Sequence, residues 1–272
     1  MTSFNSIIQL LSYRFFQYAL IGGSVAALAC ALVGLFVVLR KEAMIGDGVA
    51  HISFGGIALG LFLKVDPILS ALAVSIASVL GISYLRRKGI AESSSAIALM
   101  LAIGFSTGLI IISLAGGFNI EIFSFLFGSI LTISSHDLLL ISVLGLVTIL
   151  VIGVFYKELL SITFDEEASR LMGIPVKELS AIFNILVATT IVLSIKVVGM
   201  ILVTALIVLP GLTALQLNRG FRGTAILSII VGIISIVSGV FISAVFNVAT
   251  SGVIVFTLVT IFLIVSSLKM LE

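Results

Sequence analysis

The stretch Gln17–Gly60 reads QYALIGGSVAALACALVGLFVVL, then RKE, then AMIGDGVAHISFGGIALG. Its first part, Gln17–Leu39, is uncharged over the length a helix needs to cross a hydrocarbon core of about 30 Å. Arg40, Lys41 and Glu42 end that span, and a second, shorter one is expected from about Gly48 to Leu63. The second span opens on two ionisable side chains, Asp47 and His51, spaced i, i+4, so a helix presents both on one face. An Asp at the centre of a lipid-buried helix costs about 2.5–3.5 kcal/mol on insertion scales, which makes such a pair a functional-site candidate by default. A carboxylate and an imidazole are also donors that suit a metal ion. The same residues admit a plainer reading, in which Asp47 N-caps a helix beginning at Gly48 and His51 bonds a neighbour. Spacing alone leaves both open.

The rest of the chain repeats the first pattern. Hydrophobic residues make up 61% and charged residues 10% of the 272 positions, against about 25% charged in a soluble domain. Mean hydropathy is +1.41. These values define an integral membrane protein, and the gaps between apolar runs leave no room for a soluble domain. The expected fold is an all-α polytopic bundle of about 8–9 transmembrane helices. Further spans are expected near Ile68–Leu85, Ser95–Ala115, Leu138–Tyr156, Leu179–Ile195, Gly199–Leu217, Thr224–Val245 and Ser251–Leu268, with the sixth and seventh separated by a turn at Lys196. Residues 1–16 read as an amphipathic interfacial helix without a cleavable signal. Residues 122–134, IFSFLFGSILTIS, are too short to cross and read as a re-entrant or interfacial helix. Gly56 and Gly60, then Gly104 and Gly108, have the small-xxx-small spacing that lets helices approach closely.

Orientation follows from Lys and Arg. With an outside N-terminus and a cytoplasmic C-terminus, eleven of them, from Arg40 and Lys41 through Arg86, Arg87 and Lys88 to Lys269, fall on one side, and three, Arg14, Lys64 and Lys196, on the other. That division is what the positive-inside rule expects of a multi-pass protein in the cell membrane. No basic patch supports nucleic-acid binding. The single cysteine, Cys30, allows neither an intrachain disulfide nor a thiolate metal cage.

The longest polar segment, Lys157–Glu178, falls on the positive side. Within it Thr163, Phe164, Asp165, Glu166, Glu167, Arg170, Gly173 and Pro175 outline a short helix. Thr163 and Glu166 have capping-box spacing, acidic residues fill the first turn, Arg170 stands near the end, Gly173 supplies a stop and Pro175 starts the next helix. The segment is longer than the two to eight residues usual between bundle helices, which points to docking, although an ordinary linker with a solvated charged face fits the same residues. No GxxxxGK[ST] motif occurs, so ATP coupling through a P-loop would have to come from another subunit.

Three motifs together resemble one family. Gly46-Asp47-Gly48-Val49-Ala50-His51 with Gly56-Ile57-Ala58-Leu59-Gly60 is similar to the GD-x-x-(S/A)-H…GVALG signature of ABC-importer permeases for zinc, manganese and iron. Phe164-Asp165-Glu166 through Gly173-Ile174-Pro175 resembles that family's cytoplasmic coupling segment, and Val198–Pro210 resembles its VG-x-LLV-x-ALL-x-x-P span. Gly55 departs from the pattern, since many members have proline there.

The resemblance implies a single transmembrane permease domain over residues 1–272, not itself an enzyme. Such a subunit would work as a homodimer with a separate ATP-binding subunit and an extracytoplasmic metal-binding protein. It implies a helix over about Thr163–Met172 that couples to the ATPase, and a metal path at Asp47 and His51. The cargo would be a divalent transition metal ion, zinc favoured and manganese next, with no permanently bound cofactor. His136, beside Asp137, is a lesser candidate for metal entry. The competing reading is a self-contained proton- or ion-coupled secondary metal transporter, in which Asp47 and His51 relay protons. A metallohydrolase is disfavoured because no HExxH helix accompanies the histidine.

Overall fold

The computed structural model describes residues 11–90, 92–117, 120–129 and 133–270. Twelve helices are described: α1 Arg14–Leu39, α2 Ile45–Leu63, α3 Pro67–Arg87, α4 Ser93–Leu114, α5 Ile120–Phe127, α6 Ser135–Val154, α7 Tyr156–Phe164, α8 Glu166–Leu171, α9 Val176–Val198, α10 Val203–Leu215, α11 Phe221–Phe246 and α12 Thr250–Met270. Eight of these, α1, α2, α3, α4, α6, α9, α11 and α12, are long and apolar enough to cross a membrane. An all-helical result is what lipid demands, because a helix satisfies its own backbone N–H and C=O groups where no water can. The interfacial helix expected over residues 1–16 falls largely outside the described residues, and Arg14–Phe16 belongs to α1.

Chain reversals follow local chemistry. At the end of α2, Lys64 takes the left-handed conformation (φ 56°). Asp66 then caps α3, its Oδ1 accepting from the amides of Ile68 and Leu69 at 2.9 Å, with Pro67 in the first helical position. At the start of α6, Ser134 and Asp137 form a reciprocal capping box.

Helices α1, α2 and α9 are the most deeply buried of the spans. α2 lies between α3 and α4, α1 packs with α6, α10 and α11, and α9 touches both groups. Glycine makes the α2 crossings possible. A Cβ on Gly56 would lie 2.6 Å from the Ala71 Cα of α3, and one on Gly60 2.8 Å from the Pro67 Cα. Gly104 and Gly108 of α4 sit against the backbone at His51 and Ile52 and against the Phe54 ring. Gly55, the departure from the family pattern, presses on the Gly104 carbonyl, where a Cβ would come within 2.9 Å.

Two expectations about the second half need correction. Lys196 does not form a turn: it lies inside α9, which continues to Val198, and only 8% of it is exposed. Its ammonium reaches the Asp137 carboxylate at 3.6 Å and sits 4.5 Å from the centre of the Phe125 ring, so a distant acid and an aromatic face keep it in the bundle. The break comes at Gly199 (φ 84°), and α10 has only 13 residues, about 20 Å of helix, too short for the full span expected over Gly199–Leu217. The amides freed by the break are not orphaned. Met200 N donates to Phe125 O at 2.9 Å and Ile201 N to Leu126 O at 3.3 Å, so the last turn of α5 closes the gap. Gly128 (φ 71°) and Gly199 meet back to back there, and a Cβ on Gly128 would lie 2.7 Å from Gly199 N. The short element expected over 122–134 is thus α5, though residues 130–132 lie outside the described residues.

Candidate functional site

α2 begins at Ile45, ahead of the expected start, and its N-cap position is held by Met44 without a side-chain bond. Asp47 is therefore inside the first turn and does not cap the helix, which removes the capping half of the plainer reading; the other half, a bond from His51 to a neighbour, is present. A carboxylate in that turn is favoured by the helix dipole. Its specific partner comes from far along the chain: Thr204 Oγ1 donates to Asp47 Oδ1 at 2.6 Å. Glycines on either side of Asp47 admit the neighbours. Gly46 faces Thr204 of α10, where a Cβ would lie 3.2 Å from Thr204 Cγ2, and Gly48 faces Ile97 and Met100 of α4.

His51 is oriented by its own helix. Its Nδ1 lies 2.9 Å from the backbone oxygen of Asp47. A carbonyl oxygen only accepts, so Nδ1 carries the proton and the lone pair of the neutral ring is on Nε2. Phe105 of α4 meets the ring edge-on with centroids 5.5 Å apart. Asp47, His51 and Thr204 are all half-buried, and exposed Met44, Phe105 and Ile201 flank them along the same elements. The geometry thus supplies one oriented imidazole nitrogen and one pinned carboxylate with oxygen lone pairs to spare. Among the described residues no group of three or more His, Cys, Asp or Glu side chains could hold a metal ion.

The other candidates lie apart from this pair. His136 Nδ1 is 3.6 Å from Asp66 Oδ2 at the junction of α3 and α6, a pairing separate from that of Asp47 with Thr204. Asp137 is engaged by Ser134 and Lys196.

In the polar segment the cap is Asp165 and not Thr163. Thr163 belongs to the last turn of α7, where its hydroxyl donates to Leu159 O at 2.7 Å and accepts from Arg40 Nε at 3.1 Å. The expected single helix over Thr163–Met172 is consequently two, α7 and α8, with Asp165 Oδ1 accepting from Ala168 N at 2.9 Å. Arg170 pairs with Glu166 at 3.0 Å and Gly173 (φ 82°) stops α8, while Pro175, expected as the first residue of the next helix, is the N-cap of α9, which begins at Val176. Buried Ser169 ties α8 to α7 through Ser161 (Oγ to Oγ 2.7 Å). Phe164, Leu171 and Met172 are 73%, 89% and 67% exposed, an apolar display on a charged segment.

Thr204 and Phe105 were not singled out from sequence. A hydroxyl in an apolar run was the signal for Thr204; nothing local pointed to Phe105.

Comparison with known proteins gives a consistent answer. Residues 12–269 match the model of the ABC 3 transport family. The chain is 30% identical over 254 residues to the manganese transport system membrane protein MntC of Halalkalibacterium halodurans, covering 93% of this chain and 87% of that one. It is 30% identical over 231 residues to the high-affinity zinc uptake system membrane protein ZnuB of Haemophilus influenzae, covering 85% and 88%. Its fold matches a chain of PsaBC from Streptococcus pneumoniae, solved in complex with a Fab, with a TM-score of 0.86 and 31% identity over 95% of this chain and 93% of that one.

Proposed function

Since the chain belongs to the ABC 3 transport family, we propose that it is the membrane permease subunit of an importer for a divalent transition metal ion, working as a homodimer. The observation that carries this reading is the Asp47–His51 pair, held with its donors open on an accessible face of the subunit. One subunit offers one carboxylate and one imidazole, and zinc takes four ligands. Two copies facing each other across a two-fold axis supply that number, while manganese would add water. Affinity order places zinc above manganese at an imidazole-containing site. The named relatives divide between the two metals, so the proposed cargo is either ion, and competition between them for uptake tells them apart. A transit site must also release its ion, which suits a site split between subunits.

Energy would come from a separate ATPase, because this sequence has no P-loop, and delivery from an extracytoplasmic metal-binding protein. α8 is the proposed coupling helix, docking through Leu171, Met172 and its acidic first turn. Its motion has a physical route inward: Ser169 to Ser161 of α7, Thr163 of α7 to Arg40, then the short turn from Arg40 into α2, whose Glu42 is paired with Arg86 at 3.1 Å.

The test is vesicle reconstitution of the chain with and without its ATPase and binding protein. Uptake of radiolabelled metal is expected only with both partners and ATP, and should disappear in Glu166→Lys/Glu167→Lys, with ATPase activity either released from metal control or lost with docking. Gradient-driven uptake by the chain alone would replace the proposal with a self-contained secondary transporter.

A further inference from the structure

At the end of the bundle that carries α8, a cavity of about 720 Å³ opens between the ends of α1 and α3, the segment α7–α8 and the first turns of α9. Four cationic side chains line it, Arg40, Arg86, Arg170 and Lys177, against two carboxylates, Glu42 and Glu166. Both carboxylates are already committed, Glu42 to Arg86 and Glu166 to Arg170. Arg40 and Lys177 are thereby left with no ion pair among the described residues, an excess of two positive charges in one cavity.

Arg40 is held in place before any ligand arrives. Its guanidinium stacks over the Phe183 ring at 4.1 Å and donates through Nε to Thr163 at 3.1 Å. Its Nη2 is buried with no hydrogen-bond partner. An unpartnered buried donor on a charged group is costly, and such atoms in native proteins commonly mark an ion or water that belongs there. Burial lowers the Arg40 pKa from its ordinary value and the fields of Glu42 and Glu166 raise it by less, so the carboxylates present do not fully compensate the site. Ser180 and Asn184 add neutral polar groups to the lining, and Asn184 is itself fixed by a 2.8 Å bond to Ser83.

We infer that this cavity binds a phosphate-type anion, whose several oxygens match the fork of Arg40 and the point charge of Lys177. Two sources carry that chemistry: the headgroup of an anionic phospholipid, which basic pockets between membrane helices are suited to hold, and free inorganic phosphate. Guanidinium recognises phosphate oxygens bidentately, and lysine adds charge without directional demand. The inference rests on the cavity alone and is independent of which metal is carried.

Thermal unfolding of the purified full chain tests it, with inorganic phosphate against chloride at matched ionic strength, and with phosphatidylglycerol against phosphatidylcholine in mixed micelles. An upward shift of about 2–4 °C is expected for phosphate, phosphatidylglycerol or both. A response to phosphatidylglycerol alone assigns the site to a lipid headgroup, and one to inorganic phosphate assigns it to the soluble anion. Arg40→Gln and Lys177→Gln should each remove at least half of the shift, and Arg219→Gln, on another loop, should respond as the parent chain does. Because Lys177 is exposed, its variant remains readable if Arg40→Gln folds poorly. No shift with either probe, or an undiminished shift in Lys177→Gln, overturns the inference.

Discussion

Asp47 and Asp137 each lie in the first turn of a spanning helix, and the bundle treats them in opposite ways. Asp137 is buried and engaged through Oδ2 by two neighbours. Oδ2 accepts from Ser134 N at 2.9 Å and Ser134 Oγ at 2.8 Å, and the Lys196 ammonium stands 3.6 Å away, itself capped by the Phe125 ring. Among the described residues, Asp47 receives one hydroxyl, from Thr204, and the imidazole one turn on has no hydrogen bond at Nε2. Ionisable groups are expensive near hydrocarbon in either case. A buried acid paired with a base stabilises an arrangement of helices, whereas the less engaged pair would keep capacity for the metal ion proposed above.

Substitutions can break or sharpen that contrast. The largest effect is expected at the open pair: Asp47→Ala or His51→Ala should eliminate metal accumulation in cells while the protein is still purified as an assembled subunit. Normal accumulation in both would remove the pair from the ion path. Next comes the closed pair. Lys196→Met strands a buried carboxylate and should lower stability by about 3–5 kcal/mol in chemical unfolding, with most of the loss recovered in Asp137→Asn/Lys196→Met. A single variant as stable as the parent would mean that Asp137 is not held by Lys196. Thr204→Val frees the Asp47 carboxylate without touching the proposed ligands and should weaken metal affinity by about 10–100-fold, as loss of a supporting hydrogen bond to a ligand does, with Thr204→Ser retaining function. Equal uptake curves for the valine and serine variants would deny Thr204 that role. Smallest is His136→Ala, which removes an exposed pair with Asp66 and should change stability by about 0–1 kcal/mol; a loss of uptake there would restore His136 to metal entry.

Much of the bundle could be read from sequence because lipid imposes one rule at every position of a span. The spans given by Gln17–Leu39, Ile68–Leu85 and Thr224–Val245 reappear as α1, α3 and α11 with ends moved by a few residues. The readings that failed were those decided by a partner elsewhere in the chain. Lys196 looks like a turn because a charge in an apolar run has no local partner; its acid is on α6 and its aromatic shelf on α5. Thr163 and Asp165 are both acceptable caps, and Asp165 prevails because the Thr163 hydroxyl is spent on Leu159 and Arg40. At the candidate site the i, i+4 spacing identified two residues, but the hydroxyl that pins one of them comes from α10, and no local pattern couples Thr204 to Asp47.

The seam where Gly128 meets Gly199 has a mechanical meaning. Through Met200 and Ile201, the backbone leading to Thr204 hangs from α5. Any displacement of the last turn of α5 would therefore be felt two residues before the helix whose hydroxyl clasps Asp47, which ties the placing of that carboxylate to an element distant from it in sequence.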